Sequence, residues 1–271
     1  MDTSFYRAIW ISDTHLGGRD LQNKKLLQFL LSTESEYLYL VGDIIDLWKI
    51  RFRWFWPKIN DQIISAIIDK AGNGTKVFYL PGNHDEIMRK YCGMNVCGIS
   101  VVHEIIHKTE DGRRYLVMHG DRFDCVVQDK KWLANLGSVS YDLLLVANRW
   151  YNAIRSHLGL TYHSLSASIK RRVKTAVNYV GNFEEAIISE ARAKKVDGLI
   201  CGHIHHADIR DLNGALYCNT GDWVESCTAL AENRNGTLGT IFWHEPSVSP
   251  AKKSEVYYED RYRDRHLAPS N

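Results

Sequence analysis

The chain has 271 residues, 45% of them hydrophobic and 24% charged, with a formal net charge of +2. That length carries a sizeable core, either one large domain or a domain with an insertion. Near-neutral charge gives no expectation of a nucleic-acid partner, so any basic patch must be local. No apolar run approaches the length of a membrane span, and Met1 is not followed by a basic-then-apolar leader. A cytoplasmic protein is therefore expected, with peripheral contact at the inner membrane face left open. Six scattered cysteines without a C-x-x-C pair are expected to be reduced and mostly buried.

The first element is a short buried strand, Ala8 to Ile11, that stops at Asp13 and His15 before the chain turns at Gly17-Gly18. An oxygen ligand beside an imidazole suits Mn²⁺, Fe or Zn²⁺ better than Ca²⁺ or Cu(I). Leu26, Leu27, Leu30 and Leu31 then recur at helical spacing, predicting a covering helix over 21–31. A second strand, Tyr37 to Val41, ends at Gly42-Asp43-Ile44-Ile45-Asp46, where Asp43 reads either as a helix cap or as a carboxylate bridging two metals. The stretch from Arg51 to Lys58 holds four large aromatics and three cations, and Pro57 keeps it from being a plain helix interior. It reads either as an aromatic cluster packed on a neighbouring loop or as an exposed patch suited to headgroup-level contacts.

A helix over 59–70 leads to the strand Lys76 to Leu80, which ends at Gly82-Asn83-His84-Asp85. Another strand, Arg114 to Met118, ends at His119-Gly120-Asp121-Arg122-Phe123-Asp124. From 125 to 183 strand patterning stops. Leu165, Ile169, Val173, Ala176 and Val180 fall on one helical face, and no acidic residue occurs from Leu143 to Phe183. A helical insertion is expected there, with Lys170 and Lys174 among cations that serve an anionic ligand or form a solvated basic face. The α/β pattern resumes with a helix over 184–194 and the strand Gly198 to Cys201, which ends at Gly202-His203-Ile204-His205-His206. Short strands follow at 208–212, 216–219, 228–232 and 238–243, with a hairpin turn at Asn213-Gly214. Residues 1–124 and 184–245 thus form the expected core, 125–183 the insertion and 246–271 a polar, weakly ordered tail.

Repeated delivery of polar residues at strand ends carries more weight than any single motif, because open α/β sheets bind ligands there. Asp13, His15 and His205 would make one metal site, and Asn83, His119 and His203 a second, with Asp43 common to both. Two such cations can activate water and clamp a phosphoryl group for in-line attack. Mn²⁺ fits this mixed set best, with Fe or Zn²⁺ as alternatives. His84 reads as a general acid oriented by Asp85, or as a histidine that never touches substrate. Asp121, Arg122, Asp124 and Asp222 read as orienters of ligands or substrate, or as turn and cap residues. His206 is expected to face solvent or a lid.

The series D-x-H, G-D-x-x-D, G-N-H-D, H-G-D and G-H-x-H, from Asp13 to His205, resembles the calcineurin-like metallophosphoesterase superfamily. The resemblance implies a four-layer αββα sandwich of two mixed sheets flanked by helices, with a helical lid, and a metal-dependent phosphoester or pyrophosphate hydrolase. The insertion and Asn219-Thr220-Gly221-Asp222-Trp223 are similar to the UDP-2,3-diacylglucosamine pyrophosphatase branch of lipid A synthesis. That implies an anionic, lipid-linked substrate taken at the membrane. His84 stands where that branch has Arg, so the third motif follows the wider superfamily. A soluble nucleotide or other phosphoester, and a non-catalytic metal-binding scaffold, are the alternative readings.

Overall fold

The first strand shows how the sequence divides between two buried faces. In the computed structural model, which describes residues 4–19, 22–124, 183–243 and 255–258, β1 spans Ser4–Ile11. Ile9 and Ile11 join one apolar cluster while Ala8 and Trp10 join another, as the two-residue period of a strand requires. Both faces are covered, which is why the apolar run is continuous rather than alternating.

The larger sheet adds β2 (Thr33–Val41), β3 (Lys76–Leu80), β4 (Asn95–Val96) and β5 (Ile99–Val101). The smaller sheet is built from β6 (Ile105–Lys108), β7 (Arg114–Val117), β8 (Gly198–Cys201), β9 (Asp208–Leu212) and β10 (Ala215–Asn219). The chain then returns to the larger sheet with β11 (Thr228–Glu232), β12 (Leu238–Phe242) and β13 (Glu255–Tyr258). The strand orders are β13-β12-β11-β1-β2-β3-β5-β4 and β6-β7-β8-β10-β9. Each sheet has a parallel centre, β1-β2-β3-β5 in one and β7-β8-β10 in the other, with antiparallel strands at its margins. These are the two mixed sheets expected from the motif series.

Helices α1 (Asn23–Ser32) and α3 (Lys58–Gly72) cover the outer face of the larger sheet. Leu26, Phe29, Leu30, Ile63 and Ile67 meet Ile9, Ile11, Leu38 and Leu40 there. Between the sheets, Trp10, Tyr39 and Leu80 pack against Tyr115, Val117, Ile200 and Cys218. A short helix α2 (Leu47–Phe52) follows β2, and α4 occupies 183–194. At the β9–β10 hairpin Asn213 and Gly214 both take positive φ, 52° and 94°, as a two-residue turn of that type demands.

The chain divides into two compact units, Met1–Asp121 with Glu190–Asn271, and Arg122–Ser189. Both sheets and α1–α3 belong to the first. In the second, the rings of Phe123 and Phe183 meet edge to face with centroids 6.1 Å apart. The expected insertion, apart from Phe183, lies outside the described residues, as do Lys170 and Lys174. The tail differs from expectation: 255–258 form β13, which pairs with β12 at the margin of the larger sheet. No helix among the described residues is long and apolar enough to cross a membrane.

Candidate metal centre

Three parallel strands of the larger sheet and two of the smaller one end at a common point. Asp13 and His15 follow β1, Asp43 and Asp46 follow β2, and Asn83, His84 and Asp85 follow β3. His119 follows β7, and His203 and His205 follow β8. The loops after β1 and β2 are zipped by backbone bonds: Asp13 N donates to Gly42 O, His15 N to Asp43 O and Asp46 N to Leu16 O, at 3.1, 2.9 and 2.9 Å. The two loops therefore move as one unit.

The backbone is strained at these positions. Asp13, His15, Asp43, His203 and His205 all take positive φ, between 47° and 72°. Non-glycine residues avoid that region, and clusters of such conformations mark sites where geometry is imposed by function. Gly82 is dictated by approach rather than by φ: a Cβ there would overlap Asp43 Oδ1 and His119 Nε2.

The side chains gather into two groups with one member between them. Asp13, His15 and His205 each offer an atom within 4.8 Å of the others. His205 Nε2 lies 3.2 Å from Asp13 Oδ1 and 3.4 Å from His15 Nε2. Asp43, His119 and His203 form the second group under the same 4.8 Å limit, and Asn83 Oδ1 stands 3.3 Å from His119 Nε2. Asp43 Oδ2 is 3.9 Å from His15 Nε2 and 3.4 Å from His119 Nε2, so a single oxygen addresses both groups.

These atoms fit divalent cations. Asp13 Oδ1 is buried and receives no aligned hydrogen bond, with His205 Nε2 as its charge partner 3.2 Å away, whereas Oδ2 accepts from His203 N at 2.9 Å and from the Ser12 hydroxyl. A buried carboxylate oxygen without an aligned donor costs free energy unless positive charge meets it. His119 Nδ1 donates to Val41 O at 2.8 Å, which directs Nε2 at Asn83 and Asp43, where it can ligate a cation once its proton is lost. A mixed oxygen and imidazole set suits Mn²⁺, Fe or Zn²⁺.

Electrostatics point the same way. Burial would raise Asp43, but the hydrogen bond and charge of His119 and the His84 backbone N–H hold it down at about 2. Burial would lower His119, yet Asp43 and Asp13 lift it to about 9. Asp13 lifts His205 against the opposing effect of burial. Asp13 itself is lowered: burial acts to raise it, and His205, His119 and Ser12 outweigh that. Packed carboxylates thus retain protons on their imidazole neighbours, the behaviour of a cluster that demands compensating positive charge.

Asp46 is the residue that sequence reasoning quoted within G-D-x-x-D and left without a role. It is fully buried. Its carboxylate lies 3.2 Å from His84 Nδ1, 3.4 Å from His15 Nδ1 and 3.1 Å from Lys49 Nζ, and it caps α2 by accepting from Lys49 N at 2.9 Å. Burial acts to raise Asp46, but these partners carry it far below the usual carboxylate range. In turn the Asp46 hydrogen bond raises His84, with burial opposing. The signal was available: an Asp directly before the apolar run Leu47–Phe52 is a cap position, which fixes its side chain beside the strand ends.

Asp85 requires a correction. Expected to orient His84, it turns away and is buried among backbone groups. Its oxygens accept from Ile44 N at 2.9 Å, Gly82 N at 2.6 Å and the Tyr79 hydroxyl at 2.5 Å. It ties the loops after β2 and β3 together, and Asp46 orients His84 instead. Asp222 is likewise a capping residue, accepting from Val224, Glu225 and Ser226 N at 2.8, 2.6 and 3.2 Å. Asp121 accepts a 2.6 Å ion pair from Arg89. Arg122 is exposed with its guanidinium 5.4 Å from the Phe123 ring, Asp124 is half-buried, and His206 is exposed.

The calcineurin-like phosphoesterase family profile matches residues 6–207. A UDP-2,3-diacylglucosamine hydrolase of Neisseria meningitidis serogroup A is 25% identical over 227 residues, covering 80% of this chain and 89% of that protein. A protein of the same name from Marinobacter nauticus is 25% identical over 237 residues, covering 84% and 94% respectively. Among solved structures, vacuolar protein sorting 29 from Cryptosporidium parvum shares 14% identity at a TM-score of 0.42, over 93% of this chain and 95% of that one.

Proposed function

The chain belongs to the calcineurin-like phosphoesterase family and is a phosphoester hydrolase, and from that premise we propose that two divalent metals, held on Asp43, serve a lipid-linked nucleotide substrate. The shared oxygen of Asp43 carries the two-metal reading, because a single-ion site has no use for a carboxylate placed between two donor groups. When bound, the cation pair supplies a water of lowered pKa and positive charge for the phosphoryl oxygens. Asp13, His15 and His205 hold one cation, and Asn83, His119 and His203 the other.

His84 is the proton source in this reading. Its ring lies 3.2 Å from Asp46, edge to face with His15 at 4.6 Å, and packed on Trp48 at 4.3 Å. Asp46 raises the imidazole's pKa and fixes its rotation, while a quarter of the side chain remains open to a bound substrate. A proton given to the leaving oxygen from such a position contributes roughly 10²–10⁴-fold. Asp85 supports that geometry through the backbone rather than through the proton.

The relatives' name supports a substrate of the UDP-2,3-diacylglucosamine class. A soluble phosphodiester is the second reading, favoured by His84 at a position where the resembled branch carries Arg. The deciding assay incubates chelator-stripped protein, with and without Mn²⁺, with UDP-2,3-diacylglucosamine and with an aryl phosphodiester. Mn²⁺-dependent release of UMP supports the lipid substrate. Turnover of the aryl ester alone transfers the assignment to soluble phosphodiesters, and inactivity of the loaded protein on both leaves only a scaffold.

A further inference from the structure

Helix α2 breaks the rule by which short helices survive. Four of its six residues, Leu47, Trp48, Ile50 and Phe52, are apolar, yet none of the six is buried. Trp48, Phe52 and, just beyond, Trp54 are 45%, 88% and 75% exposed. The segment is not frayed. Asp46 caps its start, Arg53 N closes its end on Lys49 O at 2.9 Å, and Trp56 Nε1 is anchored on Asp61 at 2.7 Å. Arg19 also packs over the Phe55 ring at 5.4 Å. Single exposed apolar residues are ordinary, but three large aromatics on one rigid segment mark a contact surface.

The charge around them is of one sign. Lys49, Arg51, Arg53 and Lys58 are exposed. No acidic residue lies between Asp46, which is buried, and Asp61, which receives Trp56. Indole and phenyl rings favour the boundary between headgroups and acyl chains, and Lys and Arg beside them are drawn to anionic lipid. A polynucleotide would meet the same cations, and a preference for an oligonucleotide over vesicles is the result that would identify it.

We propose that Leu47–Lys58 docks the protein on an anionic phospholipid bilayer. Phe52 and Trp54 enter the headgroup–acyl boundary, and Arg51, Arg53 and Lys58 lie among the lipid phosphates. α2 starts one residue after Asp46, and Trp48 touches His84, so the docking face adjoins the donor groups. A lipid-linked substrate would then reach them without leaving the membrane. The purpose of the contact rests on the substrate reading above, whereas its evidence does not.

The test is flotation of the full chain with vesicles of phosphatidylcholine alone or mixed with phosphatidylglycerol. Binding is expected only to the mixture and should fade with salt. Each cation near an anionic surface contributes about fivefold, so Arg51→Gln with Arg53→Gln should weaken partitioning about 25-fold. Adding Phe52→Ser and Trp54→Ser should abolish it, while hydrolysis of a soluble aryl phosphodiester stays at the parent rate. The charge-only variant keeps the test valid if the fourfold one misfolds. Undiminished binding by that variant, equal binding to neutral vesicles, or preference for an oligonucleotide would overturn the proposal. So would protection of Phe52 and Trp54 by residues 125–182 of the same chain, seen as tryptophan fluorescence indifferent to vesicles. Vesicle binding without turnover of any lipid-linked substrate upholds the docking face and removes the substrate class.

Discussion

Two clusters of buried charge lie within the first unit, and they are built on opposite terms. Between the sheets, Glu232 accepts from Arg7 Nη1 at 2.8 Å, from His107 Nε2 at 2.7 Å and from Glu110 N at 2.8 Å, and the Tyr39 hydroxyl meets His107 Nδ1 at 2.8 Å. Each ionisable group there has protein partners, and no contributing residue has positive φ. At the strand ends, Asp13 Oδ1 meets His205 Nε2 at 3.2 Å, and Asp46 Oδ2 meets His15 Nδ1 at 3.4 Å and Lys49 Nζ at 3.1 Å, charge contacts without an aligned hydrogen bond, and Asp13 and His15 hold φ in the left-handed region. The first cluster is complete as folded. The second is held by charge without aligned hydrogen bonds, which leaves its oxygens and imidazoles open to a cation. Buried carboxylates face imidazoles in both, so what separates the two is whether the polar atoms are aligned in hydrogen bonds.

Substitutions can break that contrast from either side. Asp43→Asn removes the shared charge while keeping shape. We expect hydrolysis to fall by about 10³-fold or more, with metal content below two per chain and little change in the melting of the metal-free protein. A near-parental rate with full metal content would reject Asp43 as the common ligand. Glu232→Ala should do the reverse. Leaving Arg7 and His107 buried without their partner costs about 3–5 kcal/mol, read as a lower denaturant midpoint, while activity per folded molecule persists.

Asp46→Asn sharpens the contrast inside the site. Asp46 touches neither substrate nor metal in the proposed arrangement, so its loss should cost about 10–100-fold, the range for residues that orient ligands. A purely structural role would move only stability. Positioning of His84 predicts a pH signature as well. The Asp46 hydrogen bond is the largest influence raising His84, so removing it lowers that pKa. If His84 acts as an acid, activity is lost as pH rises through its pKa. The alkaline limb of the rate profile should therefore move to lower pH in the variant, and an unmoved limb would detach Asp46 from the proton.

The sheet centres and the polar residues that converge at their ends were legible because they rest on short-range signals. A continuous apolar run ending in Gly, Asp or His identifies a doubly covered strand and its carboxyl end at once, as in Leu38 to Asp43. Residues 95–108, which hold β4, β5 and β6, escaped notice because those strands are two to four residues long and half exposed. β13 was hidden in a polar tail because a marginal strand can be satisfied by backbone pairing alone. Asp85 misled because neighbours in sequence point apart: His84 faces Asp46, and Asp85 faces the backbone of Ile44 and Gly82. Asp46 was left without a role because its one sequence signal is a helix cap, which does not reveal that the same carboxylate also reaches His84 and His15.

The smallest effect expected is a count of protons, and it separates the clusters without mutation. In the metal-free protein His119 titrates at about 9, above the ordinary 6.5, so it is charged at neutral pH. A raised imidazole stabilises the folded state fully below the unfolded value, and that contribution is lost as pH climbs through the folded one. The metal-free protein should therefore lose this support between about pH 6.5 and 9. A ligand imidazole must be neutral, so loading Mn²⁺ at pH 7 should expel the proton of His119 and weaken as pH falls. Titration in two buffers of different ionisation enthalpy measures that release. Asp43→Asn removes the group that raises His119, so it should release fewer protons for each metal taken up. Glu232→Ala should release as many as the parent, because the cluster between the sheets exchanges no proton for metal. Equal release from all three proteins would mean that the protons come from elsewhere, and that the unsatisfied atoms after β1 and β2 are not where the cations go.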